Sequence, residues 1–194
     1  MCGPVVAAAV ILPSCRQLPA SLAGLDDSKR LSPAKRESLA LAIGQTALAV
    51  GIGRAEPVEI DRINIRRAAL LAMSRAIADL RPLSVVGSSV DCILPDFILV
   101  DGRDVPDALV VPGRAVVRGD QISASIAAAS VIAKTHRDAI MVQLAQQFPG
   151  YGWEENAGYP TAKHLRALES LGVTVVHRRT FRPVAEILAR LPSV

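Results

Sequence analysis

The chain has 194 residues, a length typical of one folded domain. Its hydrophobic fraction of 51% excludes a disordered linker, and its aromatic fraction of 3% argues against broad base-stacking platforms. The net charge of +4 favours polyanionic partners only weakly, and three cysteines without a CxxC pair indicate a reducing cytoplasm.

The first predicted element is a strand over residues 5–12, an apolar run rich in β-branched residues. Its length and composition predict a strand buried on both faces. No basic residue precedes it, and Gly3, Pro4 and Pro13 bracket it closely, so we do not expect a signal peptide. No segment approaches the roughly 20 apolar residues of a membrane span, so no membrane association is expected.

Helix signals follow. Ser32 and Pro33 predict a helix running to about Val50, because serine caps and proline suits the first turn. A strand is predicted over residues 51–59. Asp61 then predicts a helix cap, with Ile60 packing on Ile65. The apolar positions of this helix predict a core stripe: Ile65, Ala69, Met73, Ala76 and Leu80.

The second half alternates in the same way. Short strands are predicted over residues 97–100 and 115–118, and a long helix over 122–148, whereas residues 83–95 are ambiguous. Thr161 and Pro183 open further helices, which makes about 149–194 a helical C-terminal part. The pattern predicts an α/β or α+β fold covered by helices, as a single domain over residues 1–194.

Asp101 and Asp120 each come directly after a short apolar strand. Two carboxylates at a sheet edge suit a hard divalent cation, which prefers oxygen ligands. Ordinary turn and cap chemistry is the alternative, because Asp101-Gly102 makes a tight turn and Asp120 can cap the next helix. Spacing alone leaves both interpretations open.

Other polar groups are compatible with a nucleic-acid backbone. Ser130, Lys134 and Arg137 share one face of the long helix and could follow phosphates, or form a solvated face with Lys134 paired to Asp138. Lys29 lies in an Asp-Ser-Lys loop that could contact phosphate. Tyr159 could stack on a sugar or pack over the core edge. The histidines at 164 and 177 are expected to be surface or capping groups.

Eight motifs in order resemble the bacterial ribonuclease HII family of the ribonuclease H superfamily. They are GPVVAAAVIL, LDDSKRLS, EIDRINIRRAALLAM, ILVDG, RGD, SIAAASVIAKTHRD, GYPTAKHL and HRRTF, from Gly3 to about Pro183. The resemblance implies a ribonuclease H-like mixed sheet with flanking helices. It also implies a cytoplasmic, monomeric endonuclease that uses Mg²⁺ or Mn²⁺. The implied substrates are RNA–DNA hybrids and single ribonucleotides in DNA duplexes, cut to leave 5′-phosphate ends.

Carried over to this chain, the resemblance implies that Asp101 and Asp120 are catalytic metal ligands. It implies that Tyr159 packs on the ribose and helps read the 2′-hydroxyl. Positions matching residues that approach the backbone are Lys29, Asn64, Ser130 and Lys134.

One family feature is missing. The family carries Asp-Glu-x-Gly-Arg-Gly on a central strand just before the first motif, whereas no Asp or Glu precedes Asp26 here. We therefore expect an N-terminally truncated sequence, with Met1 an internal methionine. We expect weakened metal binding as the consequence, and catalysis is lost if the two remaining carboxylates do not suffice. A non-catalytic hybrid-binding remnant and an unrelated α/β protein with turn and cap aspartates are the alternatives.

Overall fold

A computed structural model describes residues 1–14, 17–83, 94–107, 109 and 111–190. Strands and helices alternate, which confirms the mixed α/β class. Within these residues, no helix is both long and apolar enough to cross a membrane. Cys15, Cys92 and most of the ambiguous segment 83–95 lie outside the described residues. The elements are β1 Val5–Ile11, α1 Pro33–Thr46, β2 Ala49–Ala55, α2 Pro57–Ala78, β3 Arg81–Pro82, β4 Ile98–Asp101, β5 Gly113–Val116, α3 Ala124–Gln147, α4 Trp153–Asn156, α5 Ala162–Leu171 and α6 Arg182–Leu188.

Two predicted helix starts are confirmed by their caps. The Ser32 side chain accepts a hydrogen bond of 3.3 Å from the backbone N–H of Lys35, and Pro33 occupies the first turn of α1. The Thr161 hydroxyl accepts one of 3.3 Å from the N–H of His164 at the start of α5. Both side chains satisfy donors that a helix N-terminus leaves unpaired.

The predicted start of α2 is wrong. This helix begins at Pro57, where the Glu59 carboxylate accepts from the N–H of Glu56 at 2.9 Å. The Asp61 carboxylate instead accepts from the N–H groups of Arg179 and Thr180, both at 2.9 Å. The predicted core stripe also fails at its first member, because Ile65 is 40% exposed.

Within the described residues, the strands form two sheets. One has the order β1-β2-β3, and β4 pairs with β5 in parallel, with Asp101 opposite Val116. All seven residues of β1 are partly exposed, so the predicted burial on both faces is wrong. Among the described residues, β1 pairs on one side only, which leaves its other edge accessible.

The contacts divide the chain into two compact units. The terminal unit comprises Met1–Val5, Ala55–Ala68 and His136–Val194, and the central unit comprises Val6–Arg54 and Ala69–Thr135. The terminal unit packs Cys2, Met141, Tyr151, Trp153 and Ala167 together. Two clusters stabilise the central unit: Leu22, Leu39, Ile43, Ala47, Ala128 and Val131 form one, and Ala49, Ile77, Leu80, Ile98 and Val100 the other. A single domain over the whole chain stays a prediction.

In the central unit, β2 packs directly against the backbone of α2. A Cβ added at Gly53 would lie 2.1 Å from the carbonyl oxygen of Ala72, and one at Gly51 would lie 2.1 Å from that of Ala76. Carbonyls of a helix cannot retreat without breaking its hydrogen bonds. Glycine is therefore required where this strand crosses α2.

We expect Gly53→Ala to lower the free energy of unfolding by about 3 kcal/mol or more, because the methyl group forces strand and helix apart. Gly44→Ala is the matched control. A Cβ at Gly44, in α1, meets no heavy atom within 4 Å, so this change should stabilise the protein by about 0.5–1 kcal/mol. Urea unfolding of both variants measures the difference; equal stabilities would refute the close packing.

Candidate active site

Asp101 is the last residue of β4, and its carboxylate organises the segment that follows β5. Its Oδ1 accepts a hydrogen bond of 2.9 Å from the backbone N–H of Gly119. A Cβ at Gly119 would lie 3.3 Å from that oxygen and 2.5 Å from Cδ1 of Ile126. A residue without a side chain therefore lets the turn approach the carboxylate.

Asp120 lies in the 3₁₀ turn Gly119–Gln121 that this hydrogen bond holds. Its pKa is raised above the ordinary aspartate value, first by partial burial and then by the negative charges of Asp101 and Asp27. The cap half of the alternative interpretation loses support because α3 begins only at Ala124, whereas the turn half is confirmed, since Gly102 after Asp101 has φ 112° and Asp120 lies in a 3₁₀ turn. A cluster of repelling carboxylates is what a bound divalent cation would stabilise.

The loop before α1 contributes Lys29 to the same region of the central unit. Ser28 is 3% exposed, and its hydroxyl lies 2.7 Å from that of Ser130 on α3. The Arg36 guanidinium donates to the carbonyl of Ser28 at 3.1 Å and to that of Leu31 at 2.7 Å. Lys29 is exposed, and its positive charge lowers the pKa of Asp120, which places its side chain near the carboxylates.

The three residues predicted to form one polar face of α3, Ser130, Lys134 and Arg137, have different partners in the structure. Ser130 is bonded to the loop as described, and Lys134 is half-buried one turn further along. Arg137 belongs to the terminal unit, where its guanidinium donates to the carbonyls of Pro4, Cys2 and Ala157. It is committed to protein carbonyls, so the interpretation of Arg137 as a backbone phosphate contact is wrong.

Asn64 produces a kink inside α2. Its backbone has φ 66° and ψ 164°, a conformation that non-glycine residues rarely adopt. Its side-chain Oδ1 accepts from the N–H groups of Arg66 at 3.0 Å and Arg67 at 3.1 Å, so it caps the second half of the helix. The residue is exposed and lies in the terminal unit.

Tyr159 also lies in the terminal unit and is 55% exposed. Its backbone N–H donates to the carbonyl of Asn156 at 2.8 Å, and the N–H of Gly158 donates to the Asn156 side chain at 2.8 Å. Left-handed backbone at Ala157 and Gly158 completes the turn. An exposed ring on a loop held this tightly can offer a flat apolar surface to a ligand.

A groove of about 720 Å³ runs along the open edge of β1 in the central unit. Strand β4, which pairs only with β5 among the described residues, forms the opposite side, and Asp101 lines the groove. Strand edges on two sides present backbone groups that an extended segment could bond. Helices cover the groove with apolar and small side chains: Met73, Ile77, Ser125, Ile126, Ala129, Ser130 and Ala133.

Sequence reasoning did not assign a role to Asp27, although its charge acts on Asp120. The Asp26-Asp27 pair was the available signal, but turn loops are commonly acidic. Within the described parts of the chain, no group of three or more His, Cys, Asp or Glu side chains could hold a metal ion. Asp101 and Asp120 suit such an ion by charge and donor type, but they form only part of a ligand set.

Comparison with known proteins identifies the family. The model of the ribonuclease HII family matches residues 1–184. The chain belongs to the ribonuclease HII family. A ribonuclease HII of Rhodospirillum rubrum is 55% identical over 191 residues, which cover 98% of this chain and 82% of the relative. Another from Halorhodospira halophila is 49% identical over 186 residues, covering 96% and 88%.

Solved structures agree with this assignment. The crystal structure of ribonuclease H2 from Pyrococcus horikoshii superposes with a TM-score of 0.74 at 25% identity, covering 97% of this chain and 92% of that one. A ribonuclease HIII crystallised with Mn²⁺ has a TM-score of 0.64 at 19% identity and shares the fold. The ribonuclease H-like fold is confirmed, and the chain is a ribonuclease HII-type hydrolase, from a family of metal-dependent ribonucleases.

The repulsion between the two carboxylates can be measured directly. We expect Asp101→Asn to lower the pKa of Asp120, because one of the negative charges that raise it disappears. Carboxyl ¹³C chemical shifts followed against pH give this value. Glu37→Gln, on the exposed face of α1, should leave the Asp120 titration unchanged. An unaltered Asp120 pKa in Asp101→Asn would show that the two side chains do not interact.

Proposed function

We propose that the chain is an endonuclease for RNA–DNA hybrids and for single ribonucleotides in DNA duplexes, leaving 5′-phosphate ends. Asp101 and Asp120 would hold Mg²⁺ or Mn²⁺. The observation that supports this is the 2.9 Å bond from Gly119 to Asp101, beside which Asp120 has a pKa raised first by partial burial and then by the charge of Asp101. Family membership supplies the reaction class.

Asp101 and Asp120 would hold the divalent metal, which would there supply activation of the attacking water and stabilisation of the leaving 3′-oxygen. The residues of the chain itself position these groups. Asp101 has one oxygen on Gly119, so it would both bind the cation and hold the turn. Lys29, with its positive charge near Asp120, would help to neutralise the substrate phosphates.

The remaining ligands would come from an extended segment in the groove beside β1. We propose that a strand of Asp-Glu-x-Gly-Arg-Gly type, as the family carries, inserts there and pairs with the open edges of β1 and β4. Asp101 lines the groove, so carboxylates on such a strand would join it at one site. The apolar and small side chains from α2 and α3 are suited to a buried strand.

The substrate contacts are assigned as follows. Tyr159 would pack on the ribose next to the 2′-hydroxyl, the group that distinguishes RNA from DNA. Its 55% exposure supports this role. Lys29, Asn64, Ser130 and Lys134 would approach the backbone. For Asn64 the capping bonds use its Oδ1, so the side-chain amide would be the group offered to phosphate or sugar. Cytoplasmic location and a monomeric state stay predictions.

A non-catalytic hybrid-binding protein is the second candidate. The absence of a set of three metal-ligating side chains within the described residues favours it. The two candidates differ in one property, since a binding protein would retain its affinity for hybrids but never cut them. Asp101→Asn separates them, because it should abolish cleavage and change binding little.

The first test is cleavage of a DNA duplex carrying one ribonucleotide, with Mg²⁺ and then Mn²⁺. We expect Asp101→Asn, introduced into the chain extended by the Asp-Glu-x-Gly-Arg-Gly strand, to lower the rate by about 100-fold or more, since a metal ligand stabilises charge in the transition state. Glu37→Gln is the control. Full activity in Asp101→Asn would refute the assignment of this carboxylate.

The second test addresses the groove. We would compare three forms: the chain as given, the chain extended by the Asp-Glu-x-Gly-Arg-Gly strand, and the same extension with Asn and Gln replacing the two acids. Both extensions should raise the melting temperature, because both fill the groove, but only the acidic one should cleave. Activity of the unextended chain equal to that of the acidic extension would show that Asp101 and Asp120 suffice.

A further inference from the structure

His164 and His177 are buried, contrary to the expectation that they lie at the surface. Their exposed fractions are 0% and 1%. Their Nε2 atoms are 3.3 Å apart, and the rings pack beside Tyr151 and Trp153 in the terminal unit. Buried imidazoles need hydrogen-bond partners for both ring nitrogens, and each of these four nitrogens has one.

The neighbouring groups determine where the ring protons lie. The backbone N–H of Thr174 donates to Nδ1 of His177 at 3.0 Å, so that nitrogen is unprotonated and the neutral ring carries its proton on Nε2. The indole Nε1–H of Trp153 donates to Nε2 of His164 at 2.9 Å, so the neutral His164 ring carries its proton on Nδ1. An amide and an indole can only donate, which leaves one tautomer for each neutral ring.

These two tautomers form a directed chain. His177 Nε2–H donates, at 3.3 Å, to the same single lone pair of His164 Nε2 that accepts the shorter bond of 2.9 Å from Trp153, so the two donors share one acceptor site. His164 Nδ1–H then donates to the backbone carbonyl of Tyr159, at 2.9 Å. This series of hydrogen bonds therefore ends at the backbone of Tyr159, whose aromatic ring is exposed.

We infer that His164 is a positioning residue for Tyr159, with Trp153 and His177 selecting the tautomer that donates to the Tyr159 carbonyl. This inference rests on the proposed function, because it concerns how the ribose-contacting ring is held. Other contacts of the loop also involve its backbone: Asn156 accepts from the N–H of Gly158, Arg137 donates to the carbonyl of Ala157, the Met1 ammonium donates to the carbonyl of Gly158, and the N–H of Thr161 donates to the Tyr159 carbonyl at 2.8 Å. The phenol thereby keeps its exposure while its main chain is immobilised, so little ordering entropy remains to be lost on binding.

The chain of bonds requires both rings to be neutral, because a proton on either acceptor nitrogen removes a bond. Burial lowers the pKa of His164 and lowers that of His177 to about 4. The titratable groups that face the pair are the Met1 ammonium, whose charge acts in the same direction, the Tyr151 phenol and the Cys2 thiol of the same cluster. Unfolded histidine titrates near 6.5. The stabilisation is therefore complete above pH 6.5 and is lost as the pH falls towards 4.

The tautomers can be tested without an activity assay. We expect long-range ¹H–¹⁵N spectra to show His164 protonated on Nδ1 and His177 on Nε2 at neutral pH. The chain has one tryptophan, so its single indole N–H signal reports the bond to His164. That signal should stay constant from pH 8 to pH 6.5 and move only at lower pH. Finding His164 protonated on Nε2 at neutral pH would overturn the inference.

The positioning role is tested by the selectivity of binding for a ribonucleotide over DNA. The polypeptide is the extended chain that is used in the cleavage tests. We would measure the affinity for a duplex with one ribonucleotide relative to the same all-DNA duplex, a ratio in which any unfolded fraction cancels. Tyr159→Ala should lower this ratio, and His164→Ala should lower it about fivefold, as expected for one hydrogen bond of about 1 kcal/mol. His164→Asn, whose amide can still donate to the Tyr159 carbonyl, should retain the ratio. His136→Ala, at an exposed histidine of α3, is the control.

Failure of the inference and failure of the proposed function give different patterns. If Tyr159→Ala lowers the ratio but His164→Ala does not, the positioning role is refuted and the proposed function stands. An unchanged ratio in Tyr159→Ala refutes the role of this ring and with it the positioning role. In the double variant, His164→Ala should have no further effect, because its action passes through Tyr159. Additive effects would contradict the inference.

Discussion

The hydrogen bond from Gly119 to Asp101 is the contact on which the candidate active site depends. It joins the end of β4 to the turn after β5 at 2.9 Å, and a parallel strand pair supplies the rigid base for both. After partial burial, the charge of Asp101 is the next cause of the raised pKa of Asp120. The protein therefore opposes a like-charge repulsion with a charge-assisted hydrogen bond and with a glycine that permits close approach. A cation would relieve the remaining repulsion.

Under the proposed function, insertion of a strand and metal binding would be coupled through the groove beside β1. The open edges of β1 and β4 and the carboxylate of Asp101 face the same space. A strand there would satisfy exposed backbone groups and bring side chains to Asp101 in one event. Binding energy of the strand and affinity for the metal are therefore not independent quantities. Loss of the strand would lower both, although the rest of the central unit keeps its own apolar clusters.

Local chemistry made much of the fold predictable. Ser32 and Thr161 are capping residues with an unambiguous role, and both helices begin where the sequence indicates. Asp101 and Asp120 could be singled out because each follows an apolar strand. The prediction of Asp61 as a helix cap was wrong because an acidic residue before an apolar stripe resembles a cap. Its hydrogen-bond partners, Arg179 and Thr180, are more than a hundred positions away in the sequence. Only tertiary structure reveals such a pair.

The burial of His164 and His177 also could not be predicted from the sequence. A histidine followed by two arginines, as at His177, is typical of a surface segment, yet burial raises the cost of its charge and makes the neutral ring the stable form. What makes that burial tolerable is a set of partners with fixed donor direction, namely Thr174, Trp153 and the Tyr159 carbonyl. Which atom donates in each of these hydrogen bonds follows from the positions of the partners in the fold and cannot be deduced from composition. A chain poor in aromatic residues can therefore hold an exposed tyrosine in place through buried hydrogen bonds, with no need for a broad stacking surface.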